Sequence, residues 1–324
     1  MKQQILFFLC LCLLCGSVLA MPMWVQDGQK AVVGVEAPLA TQAGEEVFDT
    51  GLLLRVLAGD EVRVMDLRGY LKGVVSAELP KDFPVESVKA QAVAARTFTL
   101  RCCQRSKHEQ ADVCTDSACC QAWTELVNPV ACEAVEETDG MVLLYEDELI
   151  DATYFSCSGG RTEAAVAVWG SEVPYLQAVD SPGEEGAEPY KDTVELSAQA
   201  FGARLQTLKP ELILSEKPTQ WIGKIRYTQG NGIDTVEICG LIFRGTELRK
   251  LLGLRSTNMR FAVTEGSITI STLGYGHRVG MSQYGAKAMA EQGSDFREIL
   301  QHYYQGTKIK RLFQQTEEAL YSYN

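Results

Sequence analysis

Alternation of apolar and polar residues marks the first folded segment of the chain. Residues 52–64, LLLRVLAGDEVRV, alternate around the pair Gly59-Asp60, which is typical of a tight turn. This pattern predicts a β-hairpin. The residues before it are polar and have no clear period, so we expect residues 21–44 to form a poorly structured lead-in.

A helical pattern follows the hairpin from Leu67 onward. Apolar or small side chains recur at helical spacing, at Val85, Val88, Ala92, Ala95 and Phe98. Asp82 is a candidate N-cap, with Pro84 in the first turn. A long helix is predicted here, and its alanines would let neighbouring elements pack closely.

The middle of the chain is typical of strands and turns. Residues 138–155 predict two strands around the pair Glu146-Asp147. The next five residues, SCSGG at 156–160, require a loop because they concentrate small, turn-forming side chains.

The second half of the chain contains a connector, a segment of helices and strands, and a final helical segment. Residues 180–190 form an acidic connector with Pro and Gly, and residues 191–270 then predict a helix, a hairpin and another helix. Two more helices are predicted after a Gly-rich turn, over about residues 282–292 and 296–304.

These elements predict an α+β fold with two parts. Residues 45–190 and 271–313 would form a mixed catalytic core, and residues 191–270 a smaller inserted subdomain. We expect the substrate in a groove between the two parts, and residues 314–324 to form a tail.

Composition and charge narrow the class of protein. The chain has 324 residues, of which 46% are hydrophobic and 22% charged, as in ordinary globular proteins. The net charge is −12, and the Lys and Arg residues are scattered along the chain. A protein that grips phosphates usually carries a basic patch, so we expect no nucleic acid among the partners.

The first twenty residues are typical of an export signal. Residues 1–20 contain one Lys, an apolar run from Ile5 to Leu14, and small residues before Ala20. We expect cleavage after Ala20 and an extracytoplasmic protein. The alternative is an uncleaved membrane anchor, although the apolar run is short for a spanning helix.

Cysteines cluster after the predicted long helix. Three of the eleven cysteines lie within residues 1–20, and five of the other eight lie within residues 102–120, together with His108. In an exported protein such a cluster is consistent with disulfides or with a metal site, and the spacing alone does not decide between them.

Three motifs resemble one known family. The first is GYLKGVVSAELP at residues 69–80, continued by KAQAVAART at 89–97. The second is YFSCSGGRTE at 154–163, and the third is GHRVGMSQYGA at 276–286. Together they resemble the stage II sporulation protein D family, whose members are lytic transglycosylases related to amidase enhancer proteins. Arg278 departs from the family pattern, where Gly is usual, and would put a long cation beside the cleft.

The resemblance implies an enzyme that cuts the glycan strands of bacterial peptidoglycan. Strands stripped of their stem peptides by stage II sporulation protein P would be the substrate during engulfment, and stage II sporulation proteins P and M are the expected partners. One Glu would act as acid and then as base, leaving 1,6-anhydro-muramyl ends. The residue that matches this role is Glu78.

The residues around Glu78 support the same role on physical grounds. Val74-Val75-Ser76-Ala77 precede it and Leu79-Pro80 follow it. Such apolar surroundings disfavour a carboxylate and would raise the pKa of Glu78. Glu86 and Glu163 are the fallback candidates, although Glu86 is also explained by a favourable position in the first turn of a helix.

The resemblance also implies a zinc ion, and we expect it to be structural because no open coordination position or base is obvious. Imidazole and thiolate are ligands that zinc prefers. The predicted ligands are His108, Cys114, Cys119 and Cys120, and Cys119 is the least certain because neighbours in sequence point apart unless the turn is tight. A disulfide such as Cys114–Cys120 is the competing explanation.

Polar side chains in the motifs predict a groove for N-acetyl sugars. The predicted substrate-binding residues are Lys89, Gln91, Arg96, Thr97, Tyr154, Ser156, Ser158, Gly159, Gly160, His277, Ser282, Gln283 and Tyr284. Arg96 could instead clamp a carboxylate, including Glu78, and would then lower the pKa of that residue.

Two other functions remain open at the level of sequence. A noncatalytic protein could hold glycan and recruit a cell-wall amidase, although the intact Glu78 argues against this. Alternatively, Cys157 and His277 could form a nucleophilic thiol pair. Family members often carry Ser at position 157, which disfavours the thiol.

Overall fold

The computed structural model describes residues 48–312, which form an α+β fold, as predicted. The helices are α1 (Phe48–Gly51), α2 (Leu67–Glu78), α3 (Val85–Arg105), α4 (Pro129–Glu137), α5 (Ala165–Trp169), α6 (Ala198–Leu208), α7 (Gly245–Leu252), α8 (Gln283–Glu291) and α9 (Phe296–Tyr303). Short 3-10 helices cover Glu188–Tyr190 and Pro218–Gln220.

The strands form several small sheets rather than one large one. They are β1 (Leu53–Ala58), β2 (Glu61–Asp66), β3 (Val113–Cys114), β4 (Met141–Tyr145), β5 (Glu148–Leu149), β6 (Tyr154–Phe155), β7 (Gly160–Arg161), β8 (Asp180–Ser181), β9 (Lys191–Ser197), β10 (Ile222–Tyr227), β11 (Ile233–Ile238), β12 (Leu241–Arg244), β13 (Met259–Val263), β14 (Ser267–Leu273), β15 (Met281–Ser282) and β16 (Lys308–Arg311). The sheet orders are β2-β1-β3, β16-β4-β5, β10-β11-β12, β13-β14-β9, β15-β6 and β7-β8.

The hairpin predicted at residues 52–64 and the two strands predicted around Glu146-Asp147 are confirmed. β1 and β2 pair antiparallel about the Gly59-Asp60 turn, with Ala58 opposite Glu61. β4 and β5 pair about Glu146-Asp147, and both turn residues have positive φ, of 51° and 63°. Two successive positive φ values match the right-handed twist of the flanking strands.

The long helix α3 is the centre of the core. It contacts α2, α4, α8, α9 and β4, because its alanines let these elements approach closely. Its first residue is Val85, and Pro84 is the N-cap, without a side-chain hydrogen bond. The prediction that Asp82 caps the helix is therefore wrong. Asp82 instead pairs with Lys287 of α8, with Oδ2 2.9 Å from Nζ.

The segment from β9 to β14 surrounds a hydrophobic cluster of its own. Phe201, Trp221, Phe243 and Ile270 belong to this cluster, which contains no buried residue from outside residues 198–270 in the described chain. The segment has more strands than predicted, because β9 and β14 pair along their full length. Its status as a separate domain stays a prediction.

Some predictions lie outside the described residues. These are the signal segment 1–20, the lead-in 21–44 and the tail 314–324. Within residues 48–312, no helix has the length and apolar character needed to cross a membrane.

Candidate active site

Glu78 is the last residue of α2. The N-cap of the helix is Asp66, whose side chain accepts a hydrogen bond from the Gly69 backbone N–H at 2.6 Å. It ends because Leu79 is extended, and Pro80 cannot continue the helix. Leu71, Val74 and Val75 are buried on its inner face and fix its position against α3.

The Glu78 side chain opens into a cavity of about 530 Å³. Residues from distant parts of the chain line it: Glu78, Phe98, Ser117, Cys119, Cys120, Thr153, Tyr154, Phe155, Ser156, Arg249, Tyr275, Gly276, His277 and Gln283. Among these described lining residues, Glu78 is the single carboxylate.

Two hydrogen bonds hold the carboxylate of Glu78. Oε1 accepts from the Ala122 backbone N–H at 3.3 Å, and Oε2 accepts from Nε2 of Gln283 at 3.1 Å. Burial raises the pKa of Glu78, and the two hydrogen bonds act in the opposite direction. The negative end of the α2 dipole also disfavours the ionised form. The predicted rise in the pKa of Glu78 is therefore confirmed.

The segment 119–124 brings the donor to Glu78. Gln121 is buried and donates to the Tyr154 hydroxyl at 2.9 Å, while its Oε1 accepts from Thr99 at 2.7 Å. Thr124 N–H donates to the carbonyl of Gly73 in α2 at 3.3 Å. These contacts hold Ala122 against Glu78 from both sides.

The same segment supplies two of the four residues of a metal-type cluster. His108, Cys114, Cys119 and Cys120 place their ligand atoms within 4.8 Å of one another. Nε2 of His108 lies 3.3 Å from Sγ of Cys120 and 3.7 Å from Sγ of Cys119. Nitrogen and sulfur ligands of a tetrahedral zinc site are about 3.5 Å apart, so this arrangement fits a metal ion.

A tight turn explains how adjacent cysteines reach one site. The backbone N–H groups of Cys119 and Cys120 both donate to the carbonyl of Asp116, at 3.0 and 2.8 Å. Because of this turn, Cys119 can reach the same site as Cys120. Cys114 and Cys120 are both free thiols in the structure, without the competing disulfide.

His277 also lines the cavity, as a neutral ring. Burial, and then the nearby Arg249 charge, lower the pKa of His277 to about 4, against a hydrogen bond with the Tyr154 backbone. Its Nδ1 accepts from the Val279 N–H at 3.1 Å. The rings of Phe155 and Trp169 pack on it, each with its centroid 5.5 Å away.

Of the predicted substrate-binding residues, Tyr154, Ser156, His277 and Gln283 line the cavity. Tyr284 instead packs on Phe83, with ring centroids 5.3 Å apart. Burial and the Glu78 charge raise the pKa of Tyr154, so this side chain remains a neutral hydroxyl.

The predicted residues of α3 lie away from the cavity. Arg96 is fully buried and pairs with Asp49 at 2.6 Å. The alternative that it clamps a carboxylate is therefore confirmed, but the suggested partner, Glu78, is wrong. The Thr97 hydroxyl bonds to the Val93 carbonyl, and Lys89 pairs with Glu86 and Glu137. Gln91 is also buried. These side chains face the core or other elements because α3 is surrounded on most sides.

The SCSGG loop turns around a buried carboxylate that sequence reasoning missed. Oε2 of Glu184 accepts hydrogen bonds from the backbone N–H groups of Ser158 and Gly159, both at 2.9 Å, and from the Ser158 hydroxyl. Its Oε1 accepts from Ser282 at 2.6 Å. Ser158, Gly159 and Ser282 therefore shape the loop and cap α8, and they do not line the cavity. Gly160 does not line it either.

The fallback acids do not reach the cavity. Glu86 pairs with Lys89 and accepts from the Phe296 N–H at 2.9 Å. Glu163 is buried beside Arg278, with Oε1 3.3 Å from the guanidinium.

The expectation that Arg278 faces the cleft is wrong. Its side chain is fully buried and donates to the carbonyls of Ser158 and Arg161, both at 2.7 Å. The residue has a φ of 66°, a conformation that favours Gly, and these buried contacts hold it there.

The thiol alternative is also disfavoured. Cys157 is fully buried and outside the cavity, and its thiol donates to Glu184 at 3.2 Å. Burial and the Glu184 charge raise the pKa of Cys157, which suppresses the thiolate.

Comparison with known proteins identifies the family to which this α+β protein belongs. Residues 58–145, which contain Glu78 and the whole metal-type cluster, match the family described as stage II sporulation protein. Stage II sporulation protein D of Bacillus amyloliquefaciens is 37% identical over 76% of this chain and 75% of its own length. That of Bacillus subtilis (strain 168) is 32% identical over 95% of this chain and 96% of its own length.

An amidase enhancer from Bacillus subtilis (strain 168) is 32% identical over 74% of this chain and 40% of its own length. The chain belongs to the stage II sporulation protein D family, a sporulation family to which that amidase enhancer is related.

Proposed function

We propose that the protein is a lytic transglycosylase that cuts peptidoglycan glycan strands lacking stem peptides, with Glu78 as both acid and base. The observation that carries this proposal is that one carboxylate, with a raised pKa, lies among the described residues of a cavity that hydroxyl, amide and aromatic side chains also line. Hydrolytic glycosidases typically need two carboxylates, separated by about 5–9.5 Å.

One titratable group, Glu78, is enough for both proton transfers of the reaction. Protonated Glu78 donates its proton to the glycosidic oxygen as the bond from that oxygen to C1 of N-acetylmuramic acid breaks. The resulting carboxylate then takes the proton of the muramic acid 6-hydroxyl, whose oxygen bonds to C1. The cut gives two shorter strands, one with a free 4-hydroxyl and the other with a 1,6-anhydro end. No water is consumed. Gln283 and the Ala122 N–H would hold the carboxylate in place between the two steps.

Glu78→Gln tests the proposal because it keeps the shape of the side chain and removes its proton. General acid–base help is typically worth about 10²–10⁴ in rate, so the variant should bind strands and scarcely cut them. The substrate is purified glycan strands without stem peptides, and mass spectrometry reads the products. From the wild-type protein we expect products with anhydro ends, which are one water lighter than hydrolysis products.

Two controls make this test sharp. Glu86→Gln and Glu163→Gln should leave more cleavage than Glu78→Gln, because neither residue lines the cavity. The kcat/KM of the wild type should fall as the pH rises through the raised pKa of Glu78, since the acid form starts the reaction. Full cleavage by Glu78→Gln would remove Glu78 from the mechanism, and reducing ends without anhydro product would indicate hydrolysis.

The amidase enhancer relative supports a second candidate function. In that case the protein would hold glycan and recruit a cell-wall amidase without cutting strands. The same experiment separates the two functions, because a protein that only binds would hold the glycan strands and produce no new ends.

The protein's setting is also part of the proposal. The donor set of the cluster, one imidazole and three cysteine sulfurs, supports a structural zinc ion, which would staple segment 119–124 beside Glu78. We further propose an extracytoplasmic location, with residues 1–20 as a signal peptide or an anchor, and stage II sporulation proteins P and M as partners at engulfment.

A further inference from the structure

Arg249 is a cationic side chain in the cavity, and no carboxylate among residues 48–312 pairs with it. It lies in the last turn of α7 and lines the same cavity as Glu78. Its Nε donates to the backbone carbonyl of Arg255 at 3.2 Å, which fixes one edge of the guanidinium. Within residues 48–312, its two terminal nitrogens make no hydrogen bond or ion pair.

This arrangement differs from the other arginines that the fold encloses. Arg96 and Arg278 are each paired with a buried carboxylate, Asp49 and Glu163. Arg249 is half-buried, and its environment partly desolvates the charge. Among the described lining residues it holds the one positive charge, because His277 is neutral. A guanidinium held in this way is suited to bind an oxyanion through two parallel hydrogen bonds.

The chemistry of the glycan limits which oxyanion can enter. The N-acetyl sugars of the strand are neutral apart from the lactyl group on O3 of muramic acid. When a stem peptide is attached, this lactyl carbonyl is an amide. Once the peptide is removed, it becomes a free carboxylate. The strand then carries one negative charge on each muramic acid, next to the bond that is cut.

We propose that Arg249 binds the free lactyl carboxylate of muramic acid and thereby selects strands from which the stem peptides have been removed. This inference rests on the proposed function, since it assumes that the cavity holds glycan. The ring of Tyr275, which is 47% exposed and lines the cavity, offers a face for the adjoining sugar. Arg249 is a specificity residue and takes no part in proton transfer.

The test measures binding in the Glu78→Gln background, so that no strand is cut. The probes are peptide-free glycan strands, the same strands with methyl-esterified lactyl groups, and strands that still carry stem peptides. A charge-assisted pair typically contributes a factor of roughly 10 to 100 in affinity. We therefore expect peptide-free strands to bind about that much more tightly than the esterified or peptide-bearing strands.

Variants then assign this preference to one side chain. Adding Arg249→Gln should abolish the preference by weakening the binding of peptide-free strands and leaving esterified strands unchanged. Arg249→Lys, which keeps the charge and loses the paired geometry, should retain part of it. The matched control is Lys250→Gln, which removes an exposed charge from the next position of α7 and should preserve the preference.

Three results would overturn the proposal. Equal binding of peptide-free and esterified strands would do so without any Arg249 variant, even if Arg249→Gln failed to fold. The other two are an unchanged preference in a folded Arg249→Gln protein and an equal loss in Lys250→Gln. A failure of the proposed function looks different, because the wild type would then make no anhydro ends, whatever its binding preference.

Discussion

At the scale of single residues, the partner of a charged side chain decides its role. Arg96 and Arg249 both lie in helices. Arg96 is fully buried and paired with Asp49, whereas Arg249 lines the cavity. Asp49 is 47 positions away from Arg96 in sequence. A motif can therefore identify an arginine as important without showing whether it binds substrate or stabilises the fold.

Arg96→Met should destabilise the protein by about 3–5 kcal/mol, because it leaves the Asp49 carboxylate buried without its counter-ion. The measurement is urea unfolding at pH 7. Burial already raises the pKa of Asp49, so the loss should shrink at low pH, where Asp49 becomes protonated. Arg63→Met is the control, since the exposed Arg63–Glu125 pair should contribute less than about 1 kcal/mol. A loss of that small size for Arg96→Met would contradict the assigned role.

At the scale of elements, the active site depends on how one segment crosses α2. A Cβ at Gly73 would collide with Nε1 of Trp123 and lie 2.7 Å from the Thr124 carbonyl oxygen. The absence of a side chain at position 73 therefore lets segment 119–124 lie against the helix that carries Glu78. Two of the metal-type ligands, Cys119 and Cys120, lie in this segment, together with the Gln121 contacts and the Ala122 donor to Glu78.

Gly73→Ala should displace segment 119–124 and weaken both stability and cleavage. Overpacking of this kind typically costs about 1–3 kcal/mol, which outweighs the gain of roughly 1 kcal/mol that Ala usually brings to a helix. Thermal unfolding and the rate of anhydro-end formation measure the two effects. Gly69→Ala, in the same helix, is the matched control, because its Cβ would meet only the Asp66 side chain, at 3.3 Å. Equal behaviour of the two variants would mean that the crossing is not tight.

At the scale of the whole molecule, sequence patterns predicted what is encoded locally. The hairpins at Gly59 and Glu146 and the helices from 283 to 303 follow from short-range periodicity and turn residues. The motifs also identified Glu78 and the metal-type cluster. Glu184 and Arg249 were missed, since each acts through contacts with segments far away in the chain, and neither belongs to a motif that the resemblance supplied. The long strands β9 and β14 were not predicted for the same reason, because their paired residues are at least 70 positions apart in the chain.

A metal ion bound to the cluster would join the segment beside Glu78 to the end of α3. Purified protein should contain about one zinc ion per chain, and His108→Ala or Cys120→Ser should lower both metal content and thermal stability. At free zinc 1,000-fold above the Kd, binding contributes about 4 kcal/mol to stability, so a chelator should lower the Tm by roughly 10 °C. Cys132→Ser is the control, because Cys132 lies in α4 outside the cluster. Elemental analysis without metal, together with a Cys114 disulfide in peptide mapping, would show that a covalent bond takes the place of the ion.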